Sequence, residues 1–420
     1  MWSPIVSSEL YYNRVKHLVD DLYKKVKEQV LLRDDFSLYF GAGGLCLFLA
    51  HYRKVYKSNS QLFKEDPSTH RILEHLLESS FEFSIDHATD LTRYAELGAL
   101  IVYLDKHELF EVDIENVCSD LDRTLIKLVP ALSEGYSFDL LGGVVSIGLY
   151  YHLRLPSNID HFHNILSSIV DRLYSAAIRR DGMIMWPSII EIGSNSIGFN
   201  LGLAHGIPGI VLFLRKMFID NISVEKTREL IKGAVRFLLS QMHFPSPQGG
   251  AVFYDVCDLE YNGEDSRLSW CYGDLGIAYA FVLLSQTEGL DCCELKDVGL
   301  RIFRSTTHRV TLRDARVCDA GLCHGCFGIS HIYNRAFHLV GEPFLLDMAV
   351  YWFQEGLKMS NNTRQDYGGF LLTCFSDDDD PKSVDGYNLS FQTGIAGIGL
   401  ALLAGIEPEI PSWDYFLLLS

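Results

Sequence analysis

The stretch Leu201-Gly-Leu-Ala-His205-Gly-Ile-Pro-Gly209-Ile-Val-Leu-Phe-Leu214 decides the reading of this chain. A Gly-x-x-Gly element led by His runs directly into a segment with no polar residue. A helix that is apolar all round is a buried helix, and the glycines clear backbone space where it begins. The same arrangement returns in Trp270-Cys271-Tyr272-Gly273-Asp-Leu-Gly276 and in Cys323-His324-Gly325-Cys-Phe-Gly328. It returns again at Gly41 (Phe40-Gly-Ala-Gly-Gly44), Gly98, Gly143 and Gly394 (Thr393-Gly-Ile-Ala-Gly397). Seven units at intervals of roughly 45–70 residues fall in the range of paired-helix repeats. The second, Ala95-Glu-Leu-Gly98, is degenerate, and the third, Gly142-Gly-Val-Val-Ser146, has serine in place of its second glycine.

Between the apolar segments lie amphipathic ones with charged faces: Ser8–Leu32, His70–Phe83, Ile159–Ile178, Val224–Met242, Leu295–Phe303 and Pro343–Lys358. Alternating buried and half-exposed helices predict an all-α chain, an α/α toroid of seven inner and seven outer helices. The 420 residues are read as a single domain. β-rich insertions are expected near 180–195 and 248–262, within Gly182–Ile192 and Ala251–Tyr261. Such a repeat extends one core beyond the usual limit of roughly 250–300 residues.

Composition narrows the function. Thirty-six basic against 54 acidic residues leave a net charge of −18, which argues against a nucleic-acid groove. The amino terminus carries no basic region followed by an apolar core, and no apolar run reaches the roughly 18–20 residues of a membrane span. Reduced thiols in a cytoplasm are therefore the expected state of the ten cysteines. Cys46, Cys118, Cys257, Cys292, Cys293, Cys318 and Cys374 read as packing residues. Asp377-Asp-Asp-Asp380 reads as a solvated loop. Gly41-Ala-Gly-Gly44 lacks the Lys-Ser/Thr of a phosphate loop and is a packing device.

Superimposing the first glycines puts Cys271 and Cys323 two residues earlier and His205 and His324 one residue earlier. Each such residue alone would most often simply pack. At matched repeat positions they can converge on one point. Cys271, Cys323 and His324 make a three-ligand zinc site whose fourth position is left for water or substrate. Two thiolates leave zinc little residual positive charge, which suits holding a substrate thiolate better than activating water. Cys326 could close the site as a fourth ligand, although its repeat position is filled elsewhere by Ile207, Asp274 and Ile395. His205 could carry protons beside the metal. Asp139 could face the same centre or cap the helix after it, and Arg267 could orient Asp139, bind an enolate oxygen or lie at the surface.

At Gly202-Leu-Ala-His205-Gly-x-x-Gly, Arg267-x-x-Trp270-Cys271-Tyr272-Gly273 and Cys323-His324-Gly325-x-x-Gly328 the chain resembles the lanthionine synthetase C-like cyclases. The resemblance implies an α/α toroid with a central zinc on Cys271, Cys323 and His324. It implies addition of substrate cysteine thiols to dehydroalanine or dehydrobutyrine, forming lanthionine and methyllanthionine rings in a precursor peptide. Asp139, His205 and Arg267 match family active-site positions, with His205 handling protons. A chain of this length has no room for a dehydratase domain, so a separate dehydratase is expected to make the electrophile, and the chain is expected in the cytoplasm, peripheral to a membrane-associated biosynthetic complex with a transporter. Asp274-Leu275 departs from the small or Gly-Pro pair often found after the Tyr-Gly. A second reading is a glutathione- or protein-binding member of the same superfamily, with a thiol-binding zinc and no ring closure. A toroidal glycosidase or terpenoid cyclase would need paired carboxylates or an Asp-rich metal motif on inner helices, for which Asp377–Asp380 is poorly placed.

Overall fold

The computed structural model describes residues 2–6, 8–56, 67–81, 90–110, 113–192, 194–243, 250–257, 263–361, 369–370, 373–374, 382–383, 388–409 and 411–420. The Asp377–Asp380 run lies outside them. The described chain resolves into two compact units: Met1–Ser84, Leu100–Val117 and Val317–Ser420 form one, and Ile85–Ala99 with Cys118–Arg316 the other.

Fourteen longer helices carry the fold among the described residues: α1 (Glu9–Gln29), α2 (Ala42–Tyr56), α3 (Pro67–Phe81), α4 (Thr92–Lys106), α5 (Ile114–Thr124), α6 (Val144–Arg154), α7 (Ile159–Ala176), α8 (Ile207–Ile219), α9 (Val224–Ser240), α10 (Asp274–Ser285), α11 (Leu295–Thr306), α12 (Cys326–Val340), α13 (Pro343–Lys358) and α14 (Ile395–Ile406). Even-numbered helices are the apolar ones. All twelve residues of α14 are buried, and so is α10 from Asp274 to Leu284. Odd-numbered helices bury one stripe. In α1 that stripe is Val15, Val19, Leu22, Tyr23 and Val26, at the three- and four-residue spacing of one helix face. Within the first unit α1 packs on α2 and α14, and α12 on α13. Within the second, α6 packs on α7, α8 on α9 and α10 on α11.

Two elements differ from the sequence expectation. Gly98 does not start a helix; α4 begins at Thr92, and Gly98 sits inside it where a Cβ would lie 2.6 Å from the Tyr150 ring. That glycine serves close packing against α6, not a helix start. The seventh amphipathic helix, α5, has no counterpart in the segments read from sequence. Its Ile114, Val117, Cys118 and Leu121 recur at helical spacing, although only Cys118 is buried.

The β expectation is met in short ribbons. Ile178–Arg180 pairs antiparallel with Met183–Met185, and Ser188–Ile192 with Ser194–Asn200, which in turn pairs with Val256–Cys257. Thr373–Cys374 pairs with Lys382–Ser383 outside the expected segments. Asp274 anchors the second β segment: its carboxylate accepts the Phe253 N–H at 2.9 Å and the Val252 N–H at 3.1 Å and pairs with Arg309. Among the described residues no helix is long and apolar enough to cross a membrane.

Candidate metal centre

Glycine-capped loops precede five of the even helices and carry every candidate ligand; four of the cap glycines are extended, and Gly273 before α10 is at φ +75°. The glycine N-cap has no side-chain cap: Gly143, Gly206, Gly273, Gly325 and Gly394 hold this position before α6, α8, α10, α12 and α14. Carbonyls from the start of the loop take over the first-turn amides instead. Cys326 N donates to Asp319 O at 3.1 Å, Ile395 N to Asn388 O at 3.1 Å, and Val144 N to Ser137 O at 3.0 Å. This folding-back brings the loop so close that a Cβ on Gly325 would stand 2.2 Å from Gly321 N, which is why glycine occupies the cap. Six residues before the cap, Asn200, Asp319 and Asn388 turn their side chains onto the amide two residues ahead, at 2.7–3.1 Å. Asp35 does the same before α2, at 2.9 Å. These Asx turns set the loop's shape.

The residue two before each cap then joins its neighbour in a backbone ladder. In the second unit Ala204 N donates to Cys271 O at 3.4 Å. In the first, Cys323 N donates to Gln392 O at 2.8 Å, and Gln392 N to Tyr39 O at 3.2 Å. Matched repeat position is therefore matched structural position. The side chains at these positions are buried: Ala204, Cys271, Cys323 and Gln392 are each less than a tenth exposed. The next residue, His205, Tyr272, His324 or Thr393, is half-buried.

Cys271, Cys323 and His324 offer one ligand atom each, and these atoms all lie within 4.8 Å of one another. A tetrahedral zinc with bonds of about 2.0–2.3 Å holds its ligand atoms roughly 3.3–3.8 Å apart, closer than the 4.8 Å that bounds this group. Two thiols and one imidazole match its chemical preference. Cys326 is not part of the group. It occupies the first turn of α12, fully buried, and burial together with the nearby Asp319 charge raises its thiol pKa well above the usual range.

His324 has a carboxylate partner that the sequence reading did not single out. Its Nε2 lies 3.1 Å from Oδ2 of the buried Asp319, whose Oδ1 is held by Gly321 N. The signal for it was the recurrence of Asp or Asn six residues before the glycine at 35, 200, 319 and 388.

His205 and Asp139 are brought together in the second unit, with Nδ1 and Oδ2 at 2.8 Å. Asp139 thus pairs with a histidine and does not cap α6. Burial alone would depress the His205 pKa. The Asp139 hydrogen bond and charge, with Cys271 adding to them, outweigh burial and raise it. The pair opens on a cavity of about 430 Å³ lined by Tyr136, Asn200, Asp255 and Tyr272 among others. Burial raises the Asp255 carboxyl there. Arg267 is half-buried and does not line this cavity. Of the cysteines read as packing residues, Cys46, Cys118, Cys257 and Cys292 are buried and outside any disulfide, whereas Cys318 is half-buried and Cys293 exposed. The Cys374 side chain lies outside what is described.

A helical chain that alternates apolar and amphipathic helices, most of the apolar ones led by a glycine loop, is an α/α toroid. It matches the structure of nisin cyclase with a TM-score of 0.68 at 17% identity, over 98% of each chain. The chain belongs to the lanthionine synthetase C-like protein family, whose model matches residues 33–418. No curated protein matches it by sequence.

Proposed function

We propose that the chain is a zinc-dependent lanthipeptide cyclase. The observation that carries this reading is the gathering of Cys271, Cys323 and His324, two thiols and an imidazole with no fourth protein ligand among the described residues. When bound there, zinc supplies deprotonation of a substrate thiol at neutral pH and a fixed place for its sulfur.

The chain's own residues supply the rest. Asp319 on Nε2 leaves Nδ1 of His324 for the metal and sets the ring's orientation. The sulfur of the substrate cysteine bonds to the β-carbon of dehydroalanine or dehydrobutyrine, the carbon–carbon double bond becomes an enolate, and a proton is delivered to the α-carbon. Asp139 on Nδ1 leaves Nε2 of His205 facing substrate to deliver that proton. Arg267 tunes or orients this pair. The cavity beside it, with Asp139 and Asp255 on its wall, receives the peptide.

On this reading the whole chain acts as one cyclase domain in the cytoplasm, and a separate dehydratase makes the electrophile. Ring closure is an isomerisation: it leaves peptide mass unchanged and consumes one alkylatable thiol per ring. Incubating the zinc-loaded protein with a dehydrated Ser/Thr/Cys peptide, then alkylating, tests it. Fewer alkylated thiols at unchanged mass is the expected result. Undiminished thiols, from protein that binds zinc and glutathione, would instead favour a thiol-binding role.

A further inference from the structure

Among the described residues, Gln392 is the member of the buried ladder whose side chain carries unspent hydrogen-bonding capacity. It stands two residues before Gly394, the position that Cys271 and Cys323 hold in their own repeats. Its peptide carbonyl accepts from Cys323 N at 2.8 Å and from Leu322 N at 3.0 Å, so it lies directly alongside Cys323. The side chain is 3% exposed, and its Nε2 is buried with no hydrogen-bond partner among the described residues. A buried amide donor left unmade keeps its full desolvation penalty, so such a group calls for a reason.

The two thiols of the candidate centre suggest one. Beside Cys271 stands Ser269, and the thiol donates to Ser269 Oγ at 3.5 Å. Once the sulfur is a thiolate, that hydroxyl is placed to donate to it. In the Cys323 loop the corresponding position is Gly321, so that loop supplies no such hydroxyl. A thiol is a weak acceptor and a metal-bound thiolate a strong one. A donor that serves the thiolate is therefore without a partner in the metal-free chain.

We propose that the Gln392 carboxamide donates an N–H···S hydrogen bond to the Cys323 thiolate when the metal is bound, making Gln392 a positioning residue of the centre. This rests on the metal reading of Cys271, Cys323 and His324. Partners of metal ligands change affinity by about 10–100-fold when removed.

The test uses the full chain and two variants, Gln392→Met, which keeps length and removes the donor, and Gln392→Glu, which sets a negative charge beside the sulfur. Zinc affinity is measured by chelator competition, the thiolate-to-cobalt charge-transfer band in cobalt-loaded protein by absorption, and the melting temperature in metal-free protein. The expected result is a loss of zinc affinity of about 10–100-fold for Gln392→Met and at least as much for Gln392→Glu. The charge-transfer band of Gln392→Met should move to lower energy as its sulfur becomes more electron-rich. Metal-free Gln392→Met should melt no lower than the parent, since an unmade donor has been removed, a pattern that a merely structural glutamine would not give. Unchanged zinc affinity and an unmoved band, or an affinity loss no larger than the loss of metal-free stability, would overturn the proposal. Parent protein that binds no zinc would overturn the metal reading itself, and this inference with it.

Discussion

His205 and His324 occupy the same position in two loops of one design, yet they are held by opposite ring nitrogens. His205 gives Nδ1 to Asp139, which belongs to the loop of the preceding repeat. His324 gives Nε2 to Asp319, which belongs to its own loop. The residue before His205 is Ala204 and the one before His324 is Cys323. A repeat thus supplies equivalent places, and the choice of carboxylate decides which nitrogen is presented and what the imidazole can do. One histidine is left 39% exposed beside a cavity, suited to proton transfer; the other is 22% exposed beside a thiol, suited to ligation.

Substitutions in the two loops should separate these roles, and the largest effect belongs to the ligand loop. Cys323→Ala or Cys271→Ala is expected to abolish retained zinc, measured as metal content after gel filtration, and ring closure with it. His205→Asn should leave zinc content unchanged while slowing ring closure by about 10²–10⁴-fold, the range for a general acid or base. Loss of zinc from His205→Asn would break the comparison. The carboxylates form a crossed pair of tests. Asp319→Asn should weaken zinc binding by about 10–100-fold, whereas Asp139→Asn should leave zinc affinity unaltered and lower the cyclisation rate.

A third imidazole sharpens the contrast. His51 has a hydroxyl partner, Tyr103, at 2.9 Å, and burial, helped by the nearby Lys54 and His107 charges, pushes its pKa down to about 3. It stays neutral in the fold while the unfolded chain takes up a proton below about pH 6.5. Stability should then fall as pH drops from about 6.5 toward 3, by on the order of 1 kcal/mol per pH unit for this group. The smallest expected effect follows: His51→Gln should flatten the pH dependence of the melting temperature in that window, and an unchanged slope would contradict it.

The sequence carried the candidate metal group because a repeat makes matched positions visible without coordinates, and Cys271, Cys323 and His324 stand in phase. Six of the seven odd helices were legible from their stripes, and α5 carries a short stripe of its own, Ile114, Val117, Cys118 and Leu121, that the segments read from sequence did not include. Gly98 misled for the opposite reason: glycine signals both a tight loop and a crowded helix face, and only the Tyr150 ring distinguishes them. Asp139 was legible as a candidate but not in its role, since capping and histidine pairing look alike in sequence. Asp319 was hidden until the fold showed that an Asx turn recurs six residues before the glycine.

The proposed cyclase requires an open, thiol-accepting centre built by Cys271, Cys323 and His324. Zinc K-edge X-ray absorption on the purified protein, with and without a small thiol, tests it most directly. Two sulfur and two nitrogen-or-oxygen scatterers are expected, with a third sulfur replacing one light scatterer when thiol is added. Three sulfurs that ignore added thiol, or no zinc at all, would contradict it.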